Sequence, residues 1–251
     1  MPETLIIVPT KDPHSEPACL VLNDLHLTTA GLSRQIVAHV DKRKPFNYSN
    51  AVNDAVRTHL APETEFVCLW NDDAFPEPYW LDRLLRVMNE NPTLSVLTPQ
   101  ILNLDGSPQS IGAYMRPRLL TNLNAPLFAI RTFGVANLFR TAPESAPTLS
   151  SEVVTIGGTV QLIRRSAWLL LNGYDEDFGL WDNDTDFSLR CHESYLEIGV
   201  CSGVRIKHVN GQSREGGWHA QAKERAALWA NKWPKKRLKQ AIKPNSVRHF
   251  A

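Results

Sequence analysis

The chain has 251 residues, 43% of them hydrophobic, and a formal charge of +1, which supports a full apolar core at the upper end of what one domain holds. No apolar run approaches the roughly 18 to 20 residues of a membrane-spanning helix, and the first ten residues lack the charged-then-apolar order of a secretory signal, so a cytoplasmic protein is expected, with peripheral contact at a membrane surface left open. Cys19, Cys68, Cys191 and Cys201 are far apart with no CxxC pair, which argues against a disulfide framework or a zinc site.

In chain order, Leu5-Ile6-Ile7-Val8 before Pro9-Thr10 reads as a buried strand ending at a turn. Residues 17–27 carry Ala18, Val21, Leu22 and Leu25 at helix-like spacing, Ile36 to Val40 is a further strand candidate, and Ser49 to Leu60 sets Val52, Val56 and Leu60 on one helical stripe. Glu65 to Trp70 is a second buried strand, ending at polar Asn71, at the edge where a parallel sheet presents its ligand crevice. Pro78 is expected to open a helix carrying Leu81, Leu84, Leu85 and Met88, which Asn91-Pro92 stops before the apolar run Leu94 to Leu97. From about Asp105 to Ser151 periodicity is weak and a long excursion on the acceptor side is expected. Order returns with Val153 to Ile156, Gly157-Gly158, the apolar Thr159 to Ile163 and a helix across Ser166 to Leu171 with Gly173 at its C-cap. A helix from near Asp184 to about Glu197, a strand across Val204 to Lys207 and a final helix from roughly Trp218 to Gln240 complete the series. These elements imply an α/β domain over residues 1–217 with a mostly parallel central sheet, followed by a basic helical extension over 218–251.

That extension holds Lys223, Arg225, Lys232, Lys235, Lys236, Arg237, Lys239, Lys243 and Arg248 against the single acid Glu224, leaving the remainder net acidic. Such a run is either a solvated face or a contact for a polyanion: nucleic acid, an anionic membrane surface or a diphosphate-linked acceptor.

Two constellations carry chemistry. Asn71-Asp72-Asp73 follows a strand, where carboxylate oxygens and substrate phosphates together suit a hard divalent cation, although two carboxylates can also simply cap a turn. Further along, Asp175, Glu176, Asp177, Asp182, Asp184 and Asp186 crowd a dozen residues. Carboxylates that repel one another are collected for a cation, a sugar or proton transfer, or they cap the helix that begins there.

In this order and separation the blocks resemble family 2 glycosyltransferases of GT-A fold, especially the rhamnosyltransferase-like branch. The likeness runs from Leu5 to about Ser213: Ile7-Val8-Pro9-Thr10, Pro45-Phe46-Asn47-Tyr48-Ser49 with Asn53, Leu69 to Asp73, Asp105-Gly106 with Ile111-Gly112, Gly157-Gly158 with Leu162 to Arg165, Gly173 to Glu176 with Asp184-Thr185-Asp186, and His208 with Ser213-Arg214. The resemblance implies an inverting, metal-dependent transferase moving a sugar from a nucleotide-diphosphate donor, a UDP-sugar first, to a hydroxyl of a glycan, lipid-linked saccharide or small molecule. It implies Mn²⁺ or Mg²⁺ on Asp73, with His208 as second protein ligand, and Asp184 as general base. Donor contacts would come from Pro9, Thr10, Asn53, Asn71 and Asp72; the acceptor side from Gly157, Gly158, Trp181 and Asn183; and a loop or phosphate contact from Arg214. Only about 35 residues separate Thr10 from Phe46, so one crossover is shortened. The base-binding acid is then Asn23 with Asp24, if Cys19 to Leu22 is the second strand, or Asp41, if Ile36 to Val40 is; the helical spacing favours Asp41. Asn71 and Asn183 stand where the family usually has acids. Two other readings therefore remain: a DNA glycosyltransferase acting on a hydroxymethylated base through the basic tail, and a catalytically degenerate nucleotide-sugar or partner-binding protein.

Overall fold

The computed structural model describes residues 3–41, 46–109, 155–209, 222–242 and 248–250. Eight strands form one sheet in the order β2-β1-β3-β6-β5-β7-β4, with β8 also on β7. The strands are β1 (Glu3–Thr10), β2 (Arg34–Val40), β3 (Thr64–Trp70), β4 (Ala74–Phe75), β5 (Leu94–Leu102), β6 (Val160–Arg164), β7 (Glu197–His208) and β8 (Arg248–Phe250). β1 runs parallel to β2 and β3, and β7 parallel to β5 and β8, whereas β6 is antiparallel to both β3 and β5.

The continuous apolar runs of β1 and β3 have a simple cause: both faces of the sheet are covered. Leu5, Ile7, Val67 and Leu69 point to one side, where α2 (Tyr48–His59), α4 (Arg165–Leu171) and α5 (Asn183–Glu193) supply Val52, Val56, Trp168 and Phe187. Ile6, Val8, Phe66, Cys68 and Trp70 point to the other, against Val21 and Leu25 of α1 (Glu16–Thr28) and Trp80, Leu81, Leu84 and Met88 of α3 (Trp80–Glu90). Each such aliphatic side chain, fully removed from water, contributes about 1.5–3 kcal/mol.

Several boundaries differ from the sequence expectation. Cys19 to Leu22 is helical: Pro17 sits in the first turn of α1, and Ala18, Val21 and Leu25 bury one stripe, so β2 is the second strand and Asp41 follows it. Pro78 precedes α3 rather than opening it; the helix starts at Trp80 after Tyr79 turns through φ 62°. α5 ends at Glu193, and β7 starts at Glu197, well before Val204. At the end of α4, Asn172 and Gly173 both take positive φ, and the Gly173 N–H reaches back to the Trp168 carbonyl at 3.0 Å. Most of the expected excursion, residues 110–154, lies outside the described residues, as do residues 42–45 and 210–221.

The predicted final helix is two, α6 (Ala222–Lys232) and α7 (Lys235–Ile242), because Pro234 has no N–H for the helical ladder. They do not stand free in water. Trp233 is buried and donates its indole N–H to Asp186 at 2.8 Å, Trp229 meets the edge of Phe178 with centroids 5.9 Å apart, and Leu238 and Ala241 are buried. Three basic side chains complete the contact, and a fourth, on α5, shares Asp186 with them. Arg225 pairs with Asp182 at 2.6 Å, Lys232 with Asp186 at 2.9 Å and also with Asp175, Arg237 with Glu193 at 2.7 Å, and Arg190 of α5 itself holds Asp186 at 2.8 Å. Asp186 is fully buried, so its partners determine whether its charge is tolerated. Lys232→Met should lower the free energy of urea unfolding by about 3 kcal/mol, while Lys236→Met, at an exposed position of α7, should change it by less than about 0.5 kcal/mol. Equal effects would show that the Asp186 pairing does not hold the C-terminal helices down.

Candidate active site

The site is built where β1, β3 and β7 end and where β6 begins. Because β6 runs antiparallel beside β3, with Trp70 opposite Val160, the residues just before β6 return to the end of β3. The Asn71 N–H donates to the Thr159 carbonyl at 3.0 Å, and the Ala74 N–H closes a turn onto the Asn71 carbonyl at 3.2 Å. That turn sends Asp72 and Asp73 in different directions. Asp72 meets the hydroxyl of Thr10 at the end of β1, and its carboxyl is raised above the usual aspartate value by burial, against the Thr10 bond and with help from Asp73. The Asn71 side-chain oxygen is buried with no partner.

Asp73 turns to β7. β4 pairs antiparallel with β7, Ala74 opposite His208, and the Val209 N–H donates to the Asp73 carbonyl at 3.1 Å. This register sets His208 Nε2 at 2.9 Å from Asp73 Oδ1, with both side chains buried. The other ring nitrogen, Nδ1, lies 2.9 Å from Oε1 of Gln109, whose amide nitrogen donates to the His208 carbonyl at 2.8 Å. Gln109 reaches this position through a tight turn at Asp105-Gly106, with Gly106 at φ 85°, and the Gln109 N–H is tied to the Ile101 carbonyl at 2.8 Å. Among the described residues no third His, Cys, Asp or Glu joins Asp73 and His208 around one point. One carboxylate and one imidazole fit a divalent cation that takes its remaining ligands from water and substrate oxygens.

Asp184 comes from the start of α5. Asp182 takes φ 64°, which turns the chain so that Asn183 Oδ1 accepts the Asp184 N–H at 2.7 Å while its amide nitrogen donates to the Gly179 carbonyl at 3.0 Å and to Ser49 Oγ at 3.3 Å. The half-buried Asp184 carboxylate accepts the Gly158 N–H at 2.9 Å and the Thr185 N–H at 2.7 Å. Burial raises its pKa, and the charge of Asp182 adds to the shift, against the N–H bonds of Thr185 and Gly158. The glycine loop is itself held, since Gln161 donates to the Gly157 carbonyl at 3.2 Å and accepts from the Tyr174 hydroxyl at 2.8 Å.

Tyr48 joins the two acidic groups. Its hydroxyl is buried without a hydrogen-bond partner, and its pKa is raised by burial first and then by Asp184, Asp72, Cys68 and Asp73. Thr10, Asn71, Asp72, Asp73, His208, Gly158, Asn183 and Asp184 are thus one neighbourhood. Pro9 lies in β1 next to Thr10, and Asp41, at the end of adjacent β2, is buried and accepts the Asn47 N–H at 3.1 Å. Trp181 lies under the Arg225 guanidinium, 5.4 Å from its ring centroid.

Other expected residues are not brought here. Asn23 and Asp24 sit on α1, seven and eight residues past its start and so about 10 Å back from the crevice edge at 1.5 Å per residue; the alternative that gave them the donor base fails with the strand it required. The Asn53 amide is fully occupied, donating to the Tyr174 carbonyl at 2.8 Å and to Glu176 at 3.0 Å while accepting the Tyr174 N–H at 3.0 Å. It anchors the turn before the acidic motif rather than reaching a donor. Arg214 lies outside the described residues. Sequence reasoning assigned no role to Gln109, whose partner is 99 residues away, and quoted Tyr48 only as part of a motif, without a role of its own.

No protein-family model matches the chain, and no characterised protein matches it by sequence. Its three-dimensional fold does have relatives. The catalytic domain of Drosophila β1,4-galactosyltransferase 7, solved with xylobiose, superposes with a TM-score of 0.55 at 16% identity, over 90% of this chain and 79% of that one. The mannosyltransferase PcManGT from Pyrobaculum calidifontis, solved with GDP-Man and Mn²⁺, gives 0.56 at 15% identity, over 96% of this chain and 68% of that one. The chain has the GT-A fold of glycosyltransferases; at this identity the likeness is one of fold.

A Cβ added at Gly158 would stand 3.2 Å from Asp184 Cβ. Gly158→Ala should therefore displace the Asp184 carboxylate and lower kcat about tenfold or more, with the melting temperature nearly unchanged. Full turnover in that variant would separate the glycine from the carboxylate's function.

Proposed function

We propose that the protein is an inverting, metal-dependent glycosyltransferase, similar to family 2 and its rhamnosyltransferase-like branch, that moves a sugar from a nucleotide-diphosphate donor to an acceptor hydroxyl. The observation that carries this reading is the meeting of two acidic groups with different surroundings: Asp73 faces His208, while Asp184 is held by backbone N–H groups and made more basic by burial. Asp73 and His208 would hold Mn²⁺ or Mg²⁺, which when bound neutralises charge developing on the leaving diphosphate. Asp184 takes the acceptor hydroxyl proton as that oxygen attacks the anomeric carbon from the face opposite the leaving group, hence inversion. Gly158 and Thr185 aim the carboxylate, and Gly157 and Trp181 line the acceptor side. Pro9, Thr10, Asn71 and Asp72 serve the donor, and Asp41, at the end of β2, the nucleotide base. A UDP-sugar is the first donor to test, with GDP- and dTDP-sugars beside it.

Two observations weigh on the other readings. The amide of Asn183 donates to a carbonyl that a carboxylate could not serve, so the acid-to-amide change there has a structural purpose and is no mark of degeneracy. Arg225, Lys232 and Arg237 are engaged by acids of the same chain, which removes three of the bases that a nucleic-acid acceptor would require. A glycan, lipid-linked saccharide or small molecule is the favoured acceptor class. Among the described residues no helix is long and apolar enough to cross a membrane.

Asp184→Asn should reduce transfer by about 10²- to 10⁴-fold and leave the donor's dissociation constant within about twofold, measured by calorimetry once a nucleotide-sugar panel has identified the donor. Undiminished turnover would remove Asp184 as the base. The pH profile gives a second check. A base must be ionised to work, and a raised pKa means that it takes up its proton at a higher pH. The acid limb of kcat/KM should therefore break above the ordinary aspartate value of about 3.9, and this limb should be missing from the residual activity of Asp184→Asn.

A further inference from the structure

The contact between His208 and Asp73 is chemically incomplete as hydrogen bonds alone, and Gln109 is the reason. The Gln109 amide nitrogen faces the His208 main-chain carbonyl at 2.8 Å. A carbonyl can only accept, so that end of the amide is the donor and the opposite end, facing the ring, is the oxygen. Oε1 can in turn only accept, so His208 Nδ1, 2.9 Å away, carries a proton. In the neutral ring the remaining nitrogen, Nε2, then has a lone pair and no hydrogen. Nε2 is nonetheless 2.9 Å from a carboxylate oxygen of Asp73, and both side chains are buried. Two acceptors at that distance repel unless a positive charge lies between them.

That charge is either a proton, giving an imidazolium, or a metal cation. A second carboxylate, Asp72, adjoins Asp73 in the chain, and a divalent cation balances more negative charge than one proton does. The separation also suits a cation: two neighbouring ligands of an octahedral ion, each about 2.1 Å from it, are about 3 Å apart.

We propose that Gln109 is a positioning residue that holds the proton on His208 Nδ1, so that Nε2 and Asp73 stand as a preformed pair of ligands for a divalent cation. The inference rests on the metal-dependent reading above and goes beyond it, since it assigns the affinity of the site to a residue that touches neither metal nor substrate. It also explains the hairpin at Leu102 and Pro108, which brings the Gln109 backbone onto β5 so that its side chain spans to β7. Partners of this kind, hydrogen-bonded behind a ligating histidine, commonly change metal affinity by about 10- to 100-fold.

The test has two arms, neither of which uses activity. Long-range ¹H–¹⁵N correlation on the metal-free wild-type chain at pH 8, with the His208 signals assigned by their loss in His208→Asn, should show a proton on Nδ1, in the neutral ring and in the imidazolium alike. Titration with Mn²⁺, followed by the electron-spin resonance of the free ion, should show binding about 10- to 100-fold weaker in Gln109→Met. An unprotonated Nδ1 in the wild type, or Gln109→Met binding Mn²⁺ like the wild type, would overturn the role of Gln109 and leave the metal reading standing. A wild-type chain that binds no Mn²⁺, alone or with UDP or GDP, would overturn both.

Discussion

The arrangement depends on one topological constraint, the antiparallel insertion of β6 between β3 and β5. In a parallel sheet every strand would enter from the far edge, and the crevice would be lined by strand ends alone. β6 instead begins at the crevice, so Gly157, Gly158 and Thr159 arrive beside the end of β3, with Asn71 bonded to Thr159. Gly158 then reaches Asp184 through its backbone N–H. The carboxylates that follow β3 and Asp184 of α5 are thus linked by one backbone–backbone bond, Asn71 to Thr159, and one backbone N–H to carboxylate bond, Gly158 to Asp184. The absent side chain at Gly158 is what permits the backbone to approach.

Around that frame, the acidic motif is managed residue by residue. Asp182 has Arg225, Asp186 has Arg190, Lys232 and the Trp233 indole, and Asp175 has Lys232. Asp175 consequently stays below the ordinary carboxylate range: its partial burial would raise it, but Lys232 and the Asp177 N–H outweigh that. Asp184 is treated differently. The groups that act on it most are burial, the N–H donors of Thr185 and Gly158, and the negative charge of Asp182, with no cation among them. Environments that push neighbouring carboxylates apart in this way separate a proton acceptor from its structural neighbours. The basic C-terminal segment thereby has a role that its charge alone does not suggest, because it neutralises the structural acids of the motif.

This contrast also marks what the sequence could and could not disclose. β1, β3 and α3 were legible because continuous apolar runs and helical spacing are local, and the acidic triplet after β3 was legible because it follows a strand that could be placed. The stretch 17–27 could be read as helical rather than as the second strand on periodicity alone, and the helix α1 bears this out. The docking of α6 and α7 was not legible: its apolar anchors, Trp229, Trp233 and Leu238, are few and lie among charges, so the segment reads as solvated. Asn53 misled for a related reason. A polar residue on a helix inside a recognised motif looks like a ligand contact, but its amide closes a buried turn more than 120 residues away, and only the folded chain reveals that demand.

The two asparagines of the acidic stretches, Asn71 and Asn183, are best understood through charge. Asp72, Asp73 and Asp184 all act on the Tyr48 hydroxyl, and each further carboxylate nearby would oppose the ionisation of those already there. Asn183 keeps the acceptor that orients the Asp184 N–H and adds a donor to the Gly179 carbonyl, so a neutral group performs the orientation. Asn71 is different, because its side-chain oxygen is buried without a partner. An orphaned acceptor costs a folded protein about 1–3 kcal/mol. The Tyr48 hydroxyl, equally buried and partnerless at the same site, adds a second such cost. Both costs fall beside the carboxylates that follow β3, so the folded chain loses stability there and recovers it in the two apolar layers that cover the sheet.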